Sequence, residues 1–537
     1  MLEGKEITVT RGAVSTESPT AARIGAAILE GGGNAMDAAA ATCLATAVLL
    51  PYYVDLGGYV SSATVLDGKS GEVWCLDSSS IAPAAAHATM FPVIPPEPGK
   101  TGINENEYEC SVRDDANIFG PLAVSIPGFM AGTGMLWEKW GRLKWHQIVA
   151  PSQDLLANGF PYGDVAPAIE KRISIIRRFE PTFKLLLPNG KLPAPQDTWH
   201  RPGLEKTLNR LAATGWQDFY DGDIGRRVAD CIGQIGGVLT RADMAGFTPR
   251  FTQPLRSTFR DATIFGSTPP SGALSTIEIL NMLDCFEPLP LEEPRYWHRL
   301  AEILKLAWRD RLRYVADPDF SDVPVEMLLS KRYAAGRVET MRHFPDYVDR
   351  LGLPPASAIR HGTAHVSAAD AEGNLVAVTI SQGNPFGSCV TVPETGFILA
   401  HGMCRFDPRP GRTNSIEPGK RPLSNVAPLI IRTPDRDIAL GMRGGRRIVS
   451  ACAQIAQRLV DFKMTSHQAA DAPRIHTLAD EPVEYEKSGS FRFANELTLM
   501  GHSIREVDEL GGTAHCTELF RTTGMIRSGG TVGAAGI

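Results

Sequence analysis

A threonine that directly follows a glycine and opens a strand can be turned into an N-terminal nucleophile, and residues 361–370, His-Gly-Thr-Ala-His-Val-Ser-Ala-Ala-Asp, place Thr363 in that setting. Val366 and Ala368, then Val376 and Val378, mark two extended segments joined by the turn residues 371–374, so the run reads as a β-hairpin. If the Gly362–Thr363 bond were cut, the Thr363 hydroxyl would lie beside its own free α-amine. The amine can accept the hydroxyl proton and so make a nucleophile of a weak alcohol. An α-amine titrates near pH ~8, which leaves a useful neutral fraction under cellular conditions. The alternative is a threonine kept for its β-propensity alone. His361 and His365 stand four apart, as metal ligands do on a helix. The surroundings are strand-like and lack the glutamate of a zincin motif, so no metal is expected.

Stretches elsewhere in the chain give Thr363 a context. They are Gly-Gly-Asn-Ala-Met-Asp-Ala-Ala at 32–39, Leu-Ala-Val-Ser-Ile-Pro-Gly at 122–128, Trp-Gly-Arg-Leu at 140–143 and Pro-Pro-Ser-Gly at 269–272. They continue with Asp-Arg-Leu-Arg-Tyr-Val-Ala-Asp-Pro-Asp-Phe at 310–320, Lys-Arg-Pro-Leu-Ser at 420–424 and Gly-Gly at 444–445. In this order the chain resembles the γ-glutamyltranspeptidase family of N-terminal-nucleophile hydrolases. The resemblance implies an α+β fold, a four-layer αββα sandwich. It also implies self-cleavage before Thr363 into a large segment, 1–362, and a small one, 363–537, that stay intertwined in one structural domain.

The same resemblance assigns roles. Thr363 matches the family nucleophile within Thr363-Ala364-His365-Val366-Ser367, and the free amine makes a base of His365 unnecessary. Thr379 and Ser381 match two family hydroxyls, the second of which hydrogen-bonds the nucleophile. Gly444 and Gly445 match the oxyanion-hole pair, and Ser424 and Asn425 match two substrate-contacting serines. Other positions depart from the family. Ser79 stands where an arginine binds the α-carboxylate of a γ-glutamyl group, and Arg405 where an aspartate binds its α-amine. Gly383 and Gly402 replace an asparagine and a glutamine. A guanidinium facing an ammonium is repulsive, and no bidentate carboxylate fork exists at 79. γ-Glutamyl amides are therefore expected to be poor substrates. Arg405, with Arg443 beside the Gly-Gly pair, suggests a small amide with an anionic acyl group.

The elements that must hold these residues are partly legible. Residues 19–30 read as a helix with Ser18 as N-cap and Pro19 at its first position, stopped by glycines 31–33. Asn34 caps a second, Ala-rich helix that ends before Pro51. A hairpin is expected around 68–71, an irregular excursion over 84–118, and mostly helix from 127 to 345, most strongly over 274–286 and 296–315. Strands dominate after 361, followed by a helix near 449–462.

Composition limits the function classes. A chain of 537 residues with 43% hydrophobic and 21% charged residues is globular, and a net charge of -6 speaks against a nucleic-acid binder. The first residues carry no apolar run, so no signal peptide is expected, and no membrane span or membrane partner either; a cytoplasmic protein is the default. Nine scattered cysteines without a Cys-x-x-Cys pair fit reduced thiols. No cofactor is expected, and a homo-oligomer is left open. The readings carried forward are a Thr363-dependent amide hydrolase, a carbon–carbon bond hydrolase, a true γ-glutamyl hydrolase or transferase, and an uncut scaffold or binding protein.

Overall fold

A computed structural model describes residues 1–94, 111–342, 362–487, 491–508, 510 and 512–537. His361 and much of the excursion at 84–118 lie outside the described residues. Thirteen strands form one antiparallel sheet: β1 (Leu2–Val9), β2 (Gly12–Thr16), β3 (Val60–Leu66), β4 (Val73–Ser79), β5 (Arg250–Thr252), β6 (Leu255–Phe259), β7 (Ala262–Gly266), β8 (Gly362–Asp370), β9 (Leu375–Gly383), β10 (Leu429–Arg432), β11 (Arg436–Met442), β12 (Ala514–Phe520) and β13 (Ile526–Gly536). Their order is β6-β7-β10-β11-β12-β13-β2-β8-β9-β3-β4-β5, with β1 added beside β13. The sheet curls at β13, so that β10, β11 and β12 fold over β8 and β9. The Ser367 hydroxyl donates across this space to the carbonyls of Ala439 on β11 and His515 on β12.

Helices close both outer faces. α1 (Pro19–Glu30), α2 (Ala35–Leu49), α3 (Phe129–Trp140) and α4 (Trp145–Asn158) cover one side, with α5 (Pro202–Thr214) outside them. α6 (Ala273–Leu283), α7 (Pro294–Tyr314) and α8 (Arg447–Asp461) cover the other. Each layer has its own apolar core. Val14, Ala364, Val366, Val376 and Val378 meet α2, while Leu429, Ile438 and Leu440 meet α6 and α8. Between the sheets lie Ala13, Ala369, Leu375, Ala377, Ile430 and Ala439. This is the αββα sandwich. β8 and β9 are buried along their whole length, because one face meets helices and the other meets the second sheet.

The local signals act as expected at several ends. Ser18 accepts the Ala21 N–H, and Asn34 with Asp37 forms a reciprocal capping box at the start of α2. The expected helical region, described over 127–342, is mostly helical but also supplies β5, β6 and β7, which sequence periodicity missed. β6 carries its apolar pattern on two residues only, Leu255 and Phe259, with Arg256, Ser257 and Thr258 between them. The loop leading into β3 is pinned by a fully buried ion pair, Arg201 Nη2 to Asp55 Oδ2 at 2.6 Å. That guanidinium also donates to the carbonyls of Ala47, Val48 and Gly396. No helix among the described residues is long and apolar enough to cross a membrane.

Candidate active site

The β8–β9 hairpin brings two hydroxyls together at its open end. Thr363 pairs with Ser381 in register, and their oxygens are 2.9 Å apart. The Ser381 hydroxyl donates to the Gly362 carbonyl oxygen at 2.6 Å and accepts the Gly383 N–H at 3.0 Å. With the single serine proton directed at Gly362, the Thr363 hydroxyl is the donor in the Thr363–Ser381 pair. One serine thus touches both the hydroxyl and the carbonyl of the Gly362–Thr363 linkage, and polarises that carbonyl. Thr363 and Ser381 are both buried.

One pair further along, His365 and Thr379 face each other on the same side of the hairpin. His365 Nδ1 lies 2.8 Å from the Thr379 hydroxyl and Nε2 lies 2.9 Å from the Ser367 hydroxyl. Ser367 directs its proton at backbone carbonyls, so the network assigns the imidazole proton to Nε2. Burial drives the His365 pKa down to about 3, against the pull of Glu17. The ring is therefore neutral, bonded at both nitrogens and a structural part of the inter-sheet layer. The facing strand makes room for it: a Cβ on Gly441 would come within 2.2 Å of the ring. Thr379 supports His365 and does not touch Thr363.

β11 runs from Gly441 into Arg443 and the Gly444–Gly445 turn, whose φ angles of 145° and 57° suit glycine. Arg443 ties the turn to its surroundings. Its N–H donates to the Thr513 carbonyl, its Nε donates to the Thr513 hydroxyl at 2.8 Å, and its guanidinium lies 4.7 Å from the Tyr53 ring centre. The Thr513 hydroxyl in turn donates to Glu17 Oε1 at 3.0 Å.

The positions that depart from the family lie on the other side of β8. Gly383 pairs with Gly362, and Arg405 Nη2 is 3.4 Å from where a Gly383 Cβ would stand. The Arg405 guanidinium also lies 5.9 Å from the Tyr59 ring centre. Burial and the neighbouring Arg405 charge hold His401 well below the usual histidine range. Ser79 shares a cross-strand row with the nucleophile: Thr363 pairs with Ser381, Ser381 with Val60, and Val60 with Ser79. Three inter-strand steps put it about 14 Å from Thr363. Ser424 gives its carbonyl, and Asn425 its Oδ1, to Arg311 Nη2 at 2.7 and 2.8 Å. These bonds fix the loop that also carries Val426, which packs with Tyr59, Val60 and Ala400.

Four residues at this site escaped the sequence reading. Glu17 and His515 belong to the inter-sheet cluster, with Glu17 Oε2 accepting the His365 N–H at 2.9 Å and Oε1 lying 3.4 Å from His515 Nε2. Glu17 is the one acid in residues 12–29, and that was its only signal. Ser80 and Ser125 crowd the Cβ position of Gly402, at 2.6 and 1.9 Å, so a larger side chain at 402 would displace them. Away from the site, Glu302, Glu481 and His502 bring ligand-type atoms within 4.8 Å of one another. Lys305 Nζ lies among them, 2.5 Å from Glu302 and 2.9 Å from Glu481, and supplies the positive charge there.

The chain can be compared with known proteins. The Gamma-glutamyltranspeptidase family profile matches residues 21–531. The Acylase ACY 1 proenzyme of Pseudomonas sp. (strain SE83) is 33% identical over 518 residues, covering 95% of this chain and 90% of that protein. The Glutathione hydrolase proenzyme of Pseudomonas aeruginosa is 31% identical over 523 residues, covering 93% and 89%. Among solved structures, the cephalosporin acylase from Bacillus halodurans superposes with a TM-score of 0.87 at 26% identity, covering 99% of this chain and 97% of that one.

Proposed function

The chain belongs to the Gamma-glutamyltranspeptidase family, and we propose that this member cuts its own Gly362–Thr363 bond and then uses Thr363 as the nucleophile of an acylase for amides other than γ-glutamyl amides. It is a self-processing N-terminal-nucleophile hydrolase acting on a small amide. The observation that carries the assignment to Thr363 is the Ser381 hydroxyl, shared between Thr363 Oγ1 and the Gly362 carbonyl oxygen.

In processing, Thr363 Oγ attacks the Gly362 carbonyl carbon and the C–N bond breaks, which leaves an ester on Thr363 and a free α-amine. Water then hydrolyses the ester and releases segments 1–362 and 363–537. In turnover the α-amine takes the Thr363 hydroxyl proton as Oγ attacks the substrate carbonyl. That proton passes to the departing amine, and water frees the acid from the acyl-Thr363 ester. Ser381 orients Oγ, and the Gly444 and Gly445 N–H groups serve the developing oxyanion.

Arg405 supports the choice of substrate. A buried guanidinium beside Gly383, the cross-strand partner of Gly362, disfavours an ammonium and suits a carboxylate at the far end of the acyl group. The names of two relatives, an acylase and a cephalosporin acylase, agree with such chemistry. The test is an intact-mass measurement of the purified protein, then a panel of amides with both amine and acid detected. Two segments and stoichiometric amine with acid are expected. An active uncut chain overturns the proposal, and acid released without amine would point to carbon–carbon cleavage.

A further inference from the structure

β2 leaves β8 at the pair Thr16–Val366, short of the nucleophile end of the strand. Glu17 continues the ladder with its side chain, its Oε2 accepting the next N–H on that edge, from His365, at 2.9 Å. Its Oε1 accepts the Thr513 hydroxyl at 3.0 Å, which itself accepts Arg443 Nε at 2.8 Å. A single carboxylate therefore joins β2, β8, the start of β12 and the turn that carries Gly444 and Gly445. The side chain is 1% exposed. An anion so deeply buried is costly unless a cation and several donors answer it. Burial raises the Glu17 carboxyl, but His515, the His365 N–H and Arg443 outweigh it and hold the group below its ordinary range.

The Gly362–Thr363 peptide is trans, so its C=O and N–H point to opposite sides. Its carbonyl turns toward Ser381 on β9. Its N–H therefore turns toward the β2 side, the edge that Glu17 lines. The Thr363 and His365 nitrogens share that edge, one two-residue repeat apart, about 7 Å.

We propose that Glu17 is the preformed counter-ion and positioning group for the α-amine that processing releases at Thr363. The inference rests on the cut at Gly362–Thr363 proposed above. Before the cut, the carboxylate holds the strand end and the Gly444–Gly445 turn in one frame. After it, the same charge stabilises the ammonium that forms as the amine takes the hydroxyl proton. The titratable and charged groups around this edge are His365 of β8, His515 of β12, Arg443 after β11, Cys43 of α2, Tyr52 and Tyr53 before β3, and Asp164, which acts on Tyr52. Burial pushes Cys43 and Tyr52 up and His365 down, out of the working range. Of these groups, Glu17 is the acid that bonds the β8 edge itself.

The test compares wild type, Glu17→Gln and Glu17→Asp, each checked for processing by intact mass and then assayed from pH 5 to 9. A unit charge ~7 Å away at an effective dielectric of ~20 moves an amine by roughly 1.7 pH units. Removing it in Glu17→Gln is expected to shift the acid limb of kcat roughly 1.5–2 units to lower pH. The plateau kcat should fall by up to roughly tenfold with KM little changed. Glu17→Asp keeps the charge and should recover much of the limb. A Glu17→Gln enzyme that processes itself with an unmoved acid limb overturns the inference and leaves the nucleophile assignment standing. A wild-type chain that never cuts removes the amine, and with it the underlying reading. Should neither variant accumulate, the wild-type Thr363 amine, 13C-methylated and titrated by NMR, decides: a midpoint clearly above ~8 supports Glu17 as its counter-ion, and one at or below ~8 refutes it.

Discussion

Replacing Ser381 by alanine deletes one oxygen that makes three contacts. The hydroxyl donates to the Gly362 carbonyl at 2.6 Å, accepts from Thr363 at 2.9 Å and accepts the Gly383 N–H at 3.0 Å. The first bond strengthens as that carbonyl becomes an oxyanion during self-cleavage. Loss of one such donor costs roughly 10²–10³-fold in rate, about 3–4 kcal/mol of transition-state stabilisation. The third contact belongs to the folded state: a buried N–H left without its acceptor costs about 1–3 kcal/mol. A protein of this size tolerates that, so the Ala variant should fold and still cut itself slowly. Ser381→Thr keeps the hydroxyl and should process nearly as fast as wild type. The assay is a time course of intact mass after expression at low temperature, with urea unfolding in parallel to separate rate from stability. An Ala variant that processes within twofold of wild type would refute the argument, because the polarising bond would then be incidental.

Three further outcomes follow from the same geometry. Thr363→Ala should abolish both processing and amide hydrolysis while Thr363→Ser keeps part of both, as read by gel and amine release; cleavage that persists in the Ala variant would move the nucleophile elsewhere. Arg405→Ala should lower kcat/KM for amides with an anionic acyl group by roughly 10–150-fold, the worth of one charge-assisted bond of about 1.5–3 kcal/mol, and a chain-length series of dicarboxylic monoamides should favour short acids in wild type. Because His365 is held neutral down to about pH 3 when folded but takes up a proton near 6.5 when unfolded, acid favours the unfolded chain between those values. Its contribution is complete above pH 6.5 and falls by about 1.4 kcal/mol per pH unit below it; His365→Gln should flatten that slope in urea titrations at pH 4.5, 5.5 and 7.5, and an unchanged slope would acquit His365.

The sequence revealed those parts of the fold whose local signals agree with their tertiary role. Ser18 and Pro19 open α1, and Asn34 opens α2, because capping satisfies N–H groups within one turn and needs no distant partner. The hairpin of β8 and β9 was legible for the same reason. β6 was not, since a strand lying under α6 needs few apolar residues of its own. At the site, Thr363 and Ser381 were legible from their order and from the family pattern. Glu17 was not, because its partners His365 and Thr513 lie 348 and 496 residues away along the chain. A lone acid between a strand and a helix carries no mark of the other sheet.

The row Thr363–Ser381–Val60–Ser79 gives the substitutions a scale. A recognition group at 79 acts from three strand steps away, about 14 Å, and only a long side chain projecting along the face could bridge much of that. Serine leaves most of the distance open. Arg405 enters beside Gly383, the β9 partner of Gly362, with its Nη2 3.4 Å from where a Gly383 Cβ would stand. Gly383 makes room for the His401 ring, which a Cβ there would meet at 2.2 Å. Under the proposed function, a positive charge entering beside Gly383 favours a carboxylate over an ammonium in the substrate.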